Sequence, residues 1–337
     1  MRIDAHAHVI VPEVLRDTAP DEAWRPRVWW EDGAQVVELG GRPIRSAVRD
    51  FVDADAILAA QADAGIDHVL LCPWVALLGY DAPLEEGLER CRIQNAGLAG
   101  LEAAHPDRVS VLGTVPLQDP EVAAGELEAL MAVGTFAGVE IAASVNDVSL
   151  GDDRFAPFWA AAEATGALVF VHPTTRGFVD AAFEDFYLWN LVGNPMETTI
   201  AGAHLVLAGV LERHPRLRVL LAHGGGALPA LRGRLRHGWS FQPQARARLT
   251  EDPEASLRRL YYDTVTHDAA VLRELVAFAG ADRVLLGSDY PFDMGDLRPT
   301  EMPRACGFLP DVEAAILGGN AEALLSSAGA ARVEMMR

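Results

Sequence analysis

Near its start the chain carries two imidazoles two residues apart, in Asp4-Ala5-His6-Ala7-His8. Side chains at i and i+2 of a β-strand point to one face, so His6 and His8 look the same way. Two imidazoles that close are costly to protonate together and suit one divalent cation. Alone, H-x-H in a strand is weak evidence. Three more polar residues, however, end apolar runs elsewhere: His172 closes Val169-Phe170-Val171-His172, His223 closes Val219-Leu220-Leu221-Ala222-His223, and Asp289 closes Val284-Leu285-Leu286-Gly287-Ser288-Asp289. One His in such a place is often a satisfied core histidine. Several barrel-type strands that each end in His or Asp are hard to explain as packing. Imidazoles and a carboxylate form a nitrogen-and-oxygen donor set suited to Zn²⁺, with Mn²⁺ or Fe²⁺ as the other ions it accepts. Such a site keeps a position for metal-bound water, whose pKa is lowered towards about 7. One further His beside it then moves protons.

Elements must bring these residues together. Short β-rich apolar runs alternate with longer helical patterns. The strands are predicted at Arg2–His8, Val69–Cys72, Val109–Leu112, Gly138–Ile141, Leu168–His172, Arg218–His223, Leu260–Thr264 and Val284–Asp289. Helices are predicted at Asp55–Ala64, Leu84–Ala104, Glu121–Val133, Asp153–Thr165, Glu197–His214, Ala227–Arg236, Ala269–Gly280 and Asp311–Leu325. Strand–helix alternation argues for parallel βαβ units. Eight strands point to a closed (β/α)8 TIM-like barrel, an α/β fold, as one domain over residues 1–337. An open parallel sheet is the alternative. Residues 10–52 interrupt the pattern after the first strand. They contain Trp24, Trp29, Trp30, then Val36–Leu39, a Gly40-Gly41 turn and Pro43–Arg45, which reads as a small β-hairpin insertion. Loops after barrel strands build the active face, so this hairpin is either a lid or a surface element packing its Trp residues on the barrel.

Composition narrows the chemistry. A formal net charge of −20 opposes nonspecific binding to nucleic acid or anionic membrane. Three cysteines, Cys72, Cys91 and Cys306, stand at no disulfide or metal spacing, which fits a reducing, cytoplasmic setting. The start of the chain lacks a signal-peptide pattern, and no apolar run is long enough to span a membrane. There is no lysine at all among the 337 residues. That removes Schiff-base chemistry, a P-loop lysine and a carboxylated-lysine bridge between two metals, so a single ion is expected.

The set His6-Ala7-His8, Val171-His172-Pro173, His223-Gly224-Gly225-Gly226 and Gly287-Ser288-Asp289-Tyr290-Pro291-Phe292 resembles the amidohydrolase-2 group, and within it the aminocarboxymuconate semialdehyde decarboxylase type. The resemblance runs nearly the whole chain and includes Val115-Pro116-Leu117-Gln118-Asp119 and Gly79-Tyr80. It implies that His6, His8, His172 and Asp289 hold the metal and that His223 is the acid/base, with Asp289 also at the catalytic centre. It further implies a substrate-carboxylate arginine at Arg45, and at Arg234 an arginine that reaches a neighbouring subunit's site in a homodimer. Guanidinium groups suit bidentate carboxylate binding. For each, the plain alternative is a surface charge. The helix carrying Arg232, Arg234, Arg236 and His237 is too polar to be an ordinary buried one.

Two stretches depart from the family pattern: Thr174-Thr175-Arg176-Gly177, where Arg176 is a further candidate carboxylate binder, and Phe292-Asp293-Met294-Gly295-Asp296, which adds negative charge. Glu140 ends the fourth strand, where binuclear relatives place their lysine. Asp263 and His267 read as a structural hydrogen-bond network, and Glu197 as a carboxylate favourable at a helix start. His68, His105, His204, His214 and His237 read as structural or solvent-facing. The activity implied is non-oxidative decarboxylation of a small unsaturated or aromatic carboxylic acid. The rival is hydrolysis of a lactone, amide or related bond, or hydration of a C=C bond, at the same centre.

Overall fold

Runs of apolar and β-branched residues only three to seven long recur along the chain, and each must bury both faces. The structure is a computed structural model and describes residues 1–39, 41–46, 50–174 and 181–326. Its strands are β1 (Ile3–Val9), β2 (Arg27–Glu31), β3 (Ala34–Leu39), β4 (Arg42–Ser46), β5 (His68–Pro73), β6 (Val109–Gly113), β7 (Phe136–Ala142), β8 (Ser144–Val145), β9 (Val148–Ser149), β10 (Leu168–His172), β11 (Arg218–Leu221), β12 (Tyr261–Asp263) and β13 (Val284–Leu285). Eight of them form one sheet in the order β1-β5-β6-β7-β10-β11-β12-β13, with parallel pairing throughout. Alternation sorts the side chains. Leu70 and Cys72 of β5 join the inner cluster, whereas Val69 and Leu71 pack outward against the helical layer. Ala321 and Leu324 join Ile3, Leu168 and Leu285 at the strand starts and fill that end of the barrel.

Helices follow the strands: α1 (Ala54–Asp63), α2 (Leu84–Ala104), α3 (Pro120–Val133), α4 (Ala156–Thr165), α5 (Asn194–Leu207), α6 (Val210–Arg213), α7 (Leu228–Phe241), α8 (Pro253–Leu257) and α9 (Ala269–Ala279). Local chemistry sets several of their ends. Asp53 caps α1 by accepting from Ala56 N at 3.1 Å, and Asp119 caps α3 by accepting from Val122 N at 3.1 Å. None of the described helices is long and apolar enough to cross a membrane.

The predicted barrel is present, with differences where backbone geometry overrides apolar patterning. The helix expected over Glu197–His214 is broken by Gly209, at φ +69°, into α5 and α6. Two of the last three strands, β11 and β13, stop short of their polar ends, where His223 and Asp289 adopt φ +56° and +57°. The insertion is a three-stranded antiparallel sheet, β2-β3-β4, that contains the expected hairpin. Trp29 and Trp30 are exposed on it, whereas Trp24 packs against the core.

Because β13 is only two residues long, the barrel seam is closed by the segment after it. Ala5 N donates to Leu286 O, Asp289 N to His6 O and His8 N to Tyr290 O, each at 2.8 Å. Buried Asp4 clasps the same seam. Its Oδ1 accepts from His6 N and Ser288 N, both at 3.0 Å, and its Oδ2 accepts from Gln61 Nε2 at 2.9 Å and from the Ser288 hydroxyl. Asp4→Ala is therefore expected to lower the unfolding free energy by about 2–4 kcal/mol, since each buried donor left without a partner costs about 1–3 kcal/mol. Urea unfolding of the metal-free protein measures this; a loss under about 0.5 kcal/mol, the range of ordinary surface changes, would mean the clasp does not hold the seam.

Candidate metal centre

Two barrel strands deliver three imidazoles to one point. His6 and His8 come from the end of β1, and His172 from the end of β10. His6 and His8 are fully buried, and His172 nearly so. His6 Nε2 lies 3.1 Å from His8 Nε2. Asp289 Oδ1 lies 3.2 Å from His6 Nε2, 3.3 Å from His8 Nε2 and 3.8 Å from His172 Nε2.

The other ring nitrogens fix the tautomers. His8 Nδ1 faces Pro73 O at 3.1 Å, and His172 Nδ1 faces Pro173 O at 2.9 Å. A carbonyl oxygen only accepts, so both Nδ1 atoms carry protons and both Nε2 atoms point lone pairs inward. His6 Nδ1 donates to Asp263 Oδ2 at 2.6 Å. Three imidazole lone pairs and a carboxylate thus converge in a buried site, where His172 Nε2 and Asp289 Oδ1 have no hydrogen-bond partner among the described residues. Such a cage is repulsive unless a cation or a proton sits in it. The protein's own charges say the same. Burial opposes a charge on His6, yet Asp289 and Asp263 outweigh it and raise its pKa to about 10. Burial lowers His8, and takes His172 down to about 3. Asp289 is held well below the usual carboxylate range, because the facing histidines overcome the burial that would raise it. The donor set and its unpartnered atoms fit a divalent metal.

His223 stands beside this cage with different surroundings. It begins the turn His223–Gly225, its Nε2 is 3.4 Å from Asp289 Oδ2, and its Nδ1 has no partner among the described residues. His6, His172, His223 and Asp289 each offer one atom within 4.8 Å of the others, so distance alone also admits His223 as a donor. What separates it is the missing acceptor behind the ring and a side chain that is 14% exposed to the cavity. The turn depends on glycine. Gly224, Gly225 and Gly226 have φ of +60°, +76° and +61°, and a Cβ on Gly226 would lie 2.0 Å from Pro195 O.

Asp263 ties the centre together. Its carboxylate accepts from His6 Nδ1, from His223 N at 2.9 Å, from Gly224 N at 2.8 Å and from Val265 N at 3.0 Å. The hydrogen-bond network expected for it exists, and it positions a candidate ligand and the His223 turn together. His267 is not part of that network; it is exposed at φ +56° and lines the cavity. Glu140 is fully buried, with neither oxygen hydrogen-bonded among the described residues and Oε1 3.8 Å from His8 Nδ1, and burial holds its pKa well above the ordinary value. Glu197 accepts from Thr174 N at 2.8 Å and from its hydroxyl at 2.7 Å, tying the segment after His172 to α5.

A cavity of about 600 Å³ opens from the cluster, with His172, His223 and Asp289 in its wall. Leu191, Pro195, Val265, Leu275, Phe292 and Met294 make much of the rest apolar. Phe292 meets His8 edge-on at 5.1 Å and Phe51, at the end of the insertion, at 5.2 Å, so the insertion backs one wall. Arg234 is exposed and outside this wall. Arg232, which sequence reasoning did not select, lines it; its Nη1 donates to Pro229 O at 2.7 Å and its guanidinium lies 5.1 Å from the Phe278 ring centre. Helix rotation put Arg232 inward, and no spacing rule gave that. Arg45 lies in β4 opposite Val36, with its side chain outside the described residues; Arg176 is wholly outside them. Asp293 and Asp296 do not line the cavity, and Asp296 instead accepts from Arg298 N at 2.9 Å in a turn. His68 and His214 make ordinary structural bonds, to Ser110 and Glu163.

A family description, Amidohydrolase, matches residues 3–326. The 2-amino-3-carboxymuconate-6-semialdehyde decarboxylase of Dictyostelium discoideum is 32% identical over 325 residues, covering 95% of this chain and 90% of that protein. The crystal structure of 5-carboxyvanillate decarboxylase from Sphingomonas paucimobilis superposes with a TM-score of 0.79 at 26% identity, covering 96% of this chain and 98% of that one. The enzyme of the same name from Novosphingobium aromaticivorans, solved with manganese and 4-hydroxy-3-methoxy-5-nitrobenzoic acid, has the same fold at TM-score 0.79 and 20% identity, covering 97% and 96% of the two chains.

The geometry around Asp263 generates a test. Asp263→Asn removes the charge behind His6 and should weaken divalent-metal affinity about 10–100-fold, the usual effect of losing a carboxylate behind a ligand histidine. Competition against a chromophoric chelator reads it, with circular dichroism checking the fold. Unchanged affinity in a folded variant would show that Asp263 serves the turn alone.

Proposed function

The chain belongs to the amidohydrolase family, and from that premise we propose a metal-dependent non-oxidative decarboxylase of a small unsaturated or aromatic carboxylic acid. The observation that carries this reading is the buried cluster of His6, His8 and His172 around Asp289, with His223 beside it carrying an Nδ1 that has no partner among the described residues, opening on one largely apolar cavity. Relatives with this fold are named as decarboxylases of carboxymuconate and carboxyvanillate compounds. No observation favours the hydrolytic or hydrating alternative.

His6, His8, His172 and Asp289 hold one divalent metal, with zinc the best match to imidazole nitrogen and carboxylate, and manganese or iron the other candidates. When bound, the ion supplies Lewis-acid polarisation and makes a water more acidic. His223 is the proton carrier. Its ring is exposed to the cavity and has no acceptor fixing its Nδ1 proton, so it can give a proton to the carbon bearing the carboxylate. As that C–C bond breaks and CO₂ leaves, its electron pair remains with the new C–H carbon framework. Apolar walls exclude water from the carbon that gains the proton. Arg45 and Arg176 are the arginines proposed to orient the substrate carboxylate, with Arg232 a further one in the cavity wall. Arg234, exposed on α7, is proposed to serve a partner's site in a homodimer. Three buried, unpaired cysteines suit a reducing, cytoplasmic setting.

Four measurements check these assignments. Elemental analysis should find one metal per chain; a value near two would overturn the mononuclear site. His223→Ala should keep the metal and lose about 10²–10⁴-fold in CO₂ release from aromatic and unsaturated carboxylic acids, the usual contribution of an acid/base group. If metal is lost instead, His223 is a ligand. Sedimentation should show a dimer, and Arg234→Ala should raise KM with metal content unchanged; a monomer at micromolar concentration would rule out the shared site.

A further inference from the structure

One wall of the cavity carries a buried amide whose side chain pairs with none of the described residues. Asn194 opens α5, directly after the helical turn Trp189–Gly193, so its backbone is held on a regular element. Its side chain belongs to the cavity lining together with His172, His223 and Asp289. The residue is only 5% exposed, and its Oδ1 is buried without a hydrogen-bond partner. Among the described residues its Nδ2 has no partner either; the bonds made at this position are the backbone's, from Asn194 N to Trp189 O and from Thr198 Oγ1 to the Asn194 carbonyl at 3.4 Å. Leaving a buried amide unpaired costs free energy, and native interiors rarely do so. Leu191, Pro195 and Leu275 line the same cavity with apolar side chains. For packing alone, an apolar side chain of the same size would serve better at this place.

We propose that Asn194 is a specificity-determining residue that hydrogen-bonds a hydroxyl substituent on the ring of an aromatic carboxylate substrate; this rests on the decarboxylase reading above and refines its substrate class. A primary amide carries a donor and an acceptor that exchange places by a half turn of the side chain. The substituent that pairs with either face is one that both donates and accepts, which is a hydroxyl group. The apolar residues of the cavity take the ring, and the metal end, where His172, His223 and Asp289 stand, takes the carboxylate. A site built to hydrogen-bond a substrate hydroxyl rejects the analogue that lacks it, because the buried amide is then left unpaired.

The test is calorimetric titration of the metal-loaded protein with benzoate and with 2-, 3- and 4-hydroxybenzoate. At least one hydroxybenzoate should bind about 3–10-fold more tightly than benzoate, the worth of one net hydrogen bond. In Asn194→Leu that advantage should vanish while benzoate affinity stays within about twofold, since the apolar contacts are kept. Asn194→Ala is read the same way should the leucine variant fail to fold. A hydroxyl advantage that survives both substitutions, as chelation of the metal by an ortho hydroxyl would produce, overturns the assignment. So does a wild-type protein that binds benzoate with no preference for any hydroxybenzoate, and this result leaves the decarboxylase reading standing. Failure of wild type to bind any of the four overturns the aromatic-carboxylate reading of the cavity and this assignment with it.

Discussion

A buried carboxylate, Asp289, has to be held among inward-facing imidazole lone pairs, and the rest of the molecule is arranged around that constraint. Charge taken out of water must be matched at close range. Here the match comes from His6, His8 and His172 at 3.2–3.8 Å, with His223 beside them. His6 and His8 sit at the start of the chain and Asp289 nearly three hundred residues on, so only a closed barrel brings them together. Closing the seam and building the centre are one event: Asp289 N donates to His6 O, and Asp4 binds Ser288. A defect in the seam would move ligands, and a defect among the ligands would loosen the seam.

Strain is concentrated at the same place. His223 and Asp289 both adopt positive φ, a conformation that costs non-glycine residues energy. What supports them is specific. Asp263 accepts the His223 and Gly224 amides, and the His6 carbonyl receives the Asp289 amide. By ending strands early and turning sharply, the backbone aims these two side chains back over the barrel mouth. Proton chemistry beside a metal demands that precision, and a regular strand end would direct the side chains elsewhere.

Much of the centre was legible in the sequence because its signals are local. Period-two alternation placed His6 and His8 on one face, and an apolar run ending in His or Asp marked three more strand ends. Other parts depend on contacts between distant segments. Asp263 meets His6 across 257 positions, and nothing near Asp263 in the chain announces a ligand partner. Asn194 and Arg232 enter the cavity through the rotation of α5 and α7, which packing against β-strands decides. The polar stripe Arg232, Arg234, Arg236 and His237 could be read from sequence, but not which member turns inward. Of the three tryptophans of the insertion, read either as part of a lid or as packing on the barrel, Trp24 packs against the core while Trp29 and Trp30 on β2 stay exposed, a division that depends on how the inserted sheet sits and that no local pattern announces.

The division of labour among the four imidazoles is the central claim: three ligands fixed by acceptors behind them, and one left free to carry protons. X-ray absorption at the metal edge counts imidazole ligands directly. The account predicts three imidazole nitrogens with oxygen completing the shell at about 2.0–2.2 Å in the zinc-loaded protein, and the same imidazole count in His223→Ala. Four imidazoles in the wild type, falling to three in that variant, would contradict it.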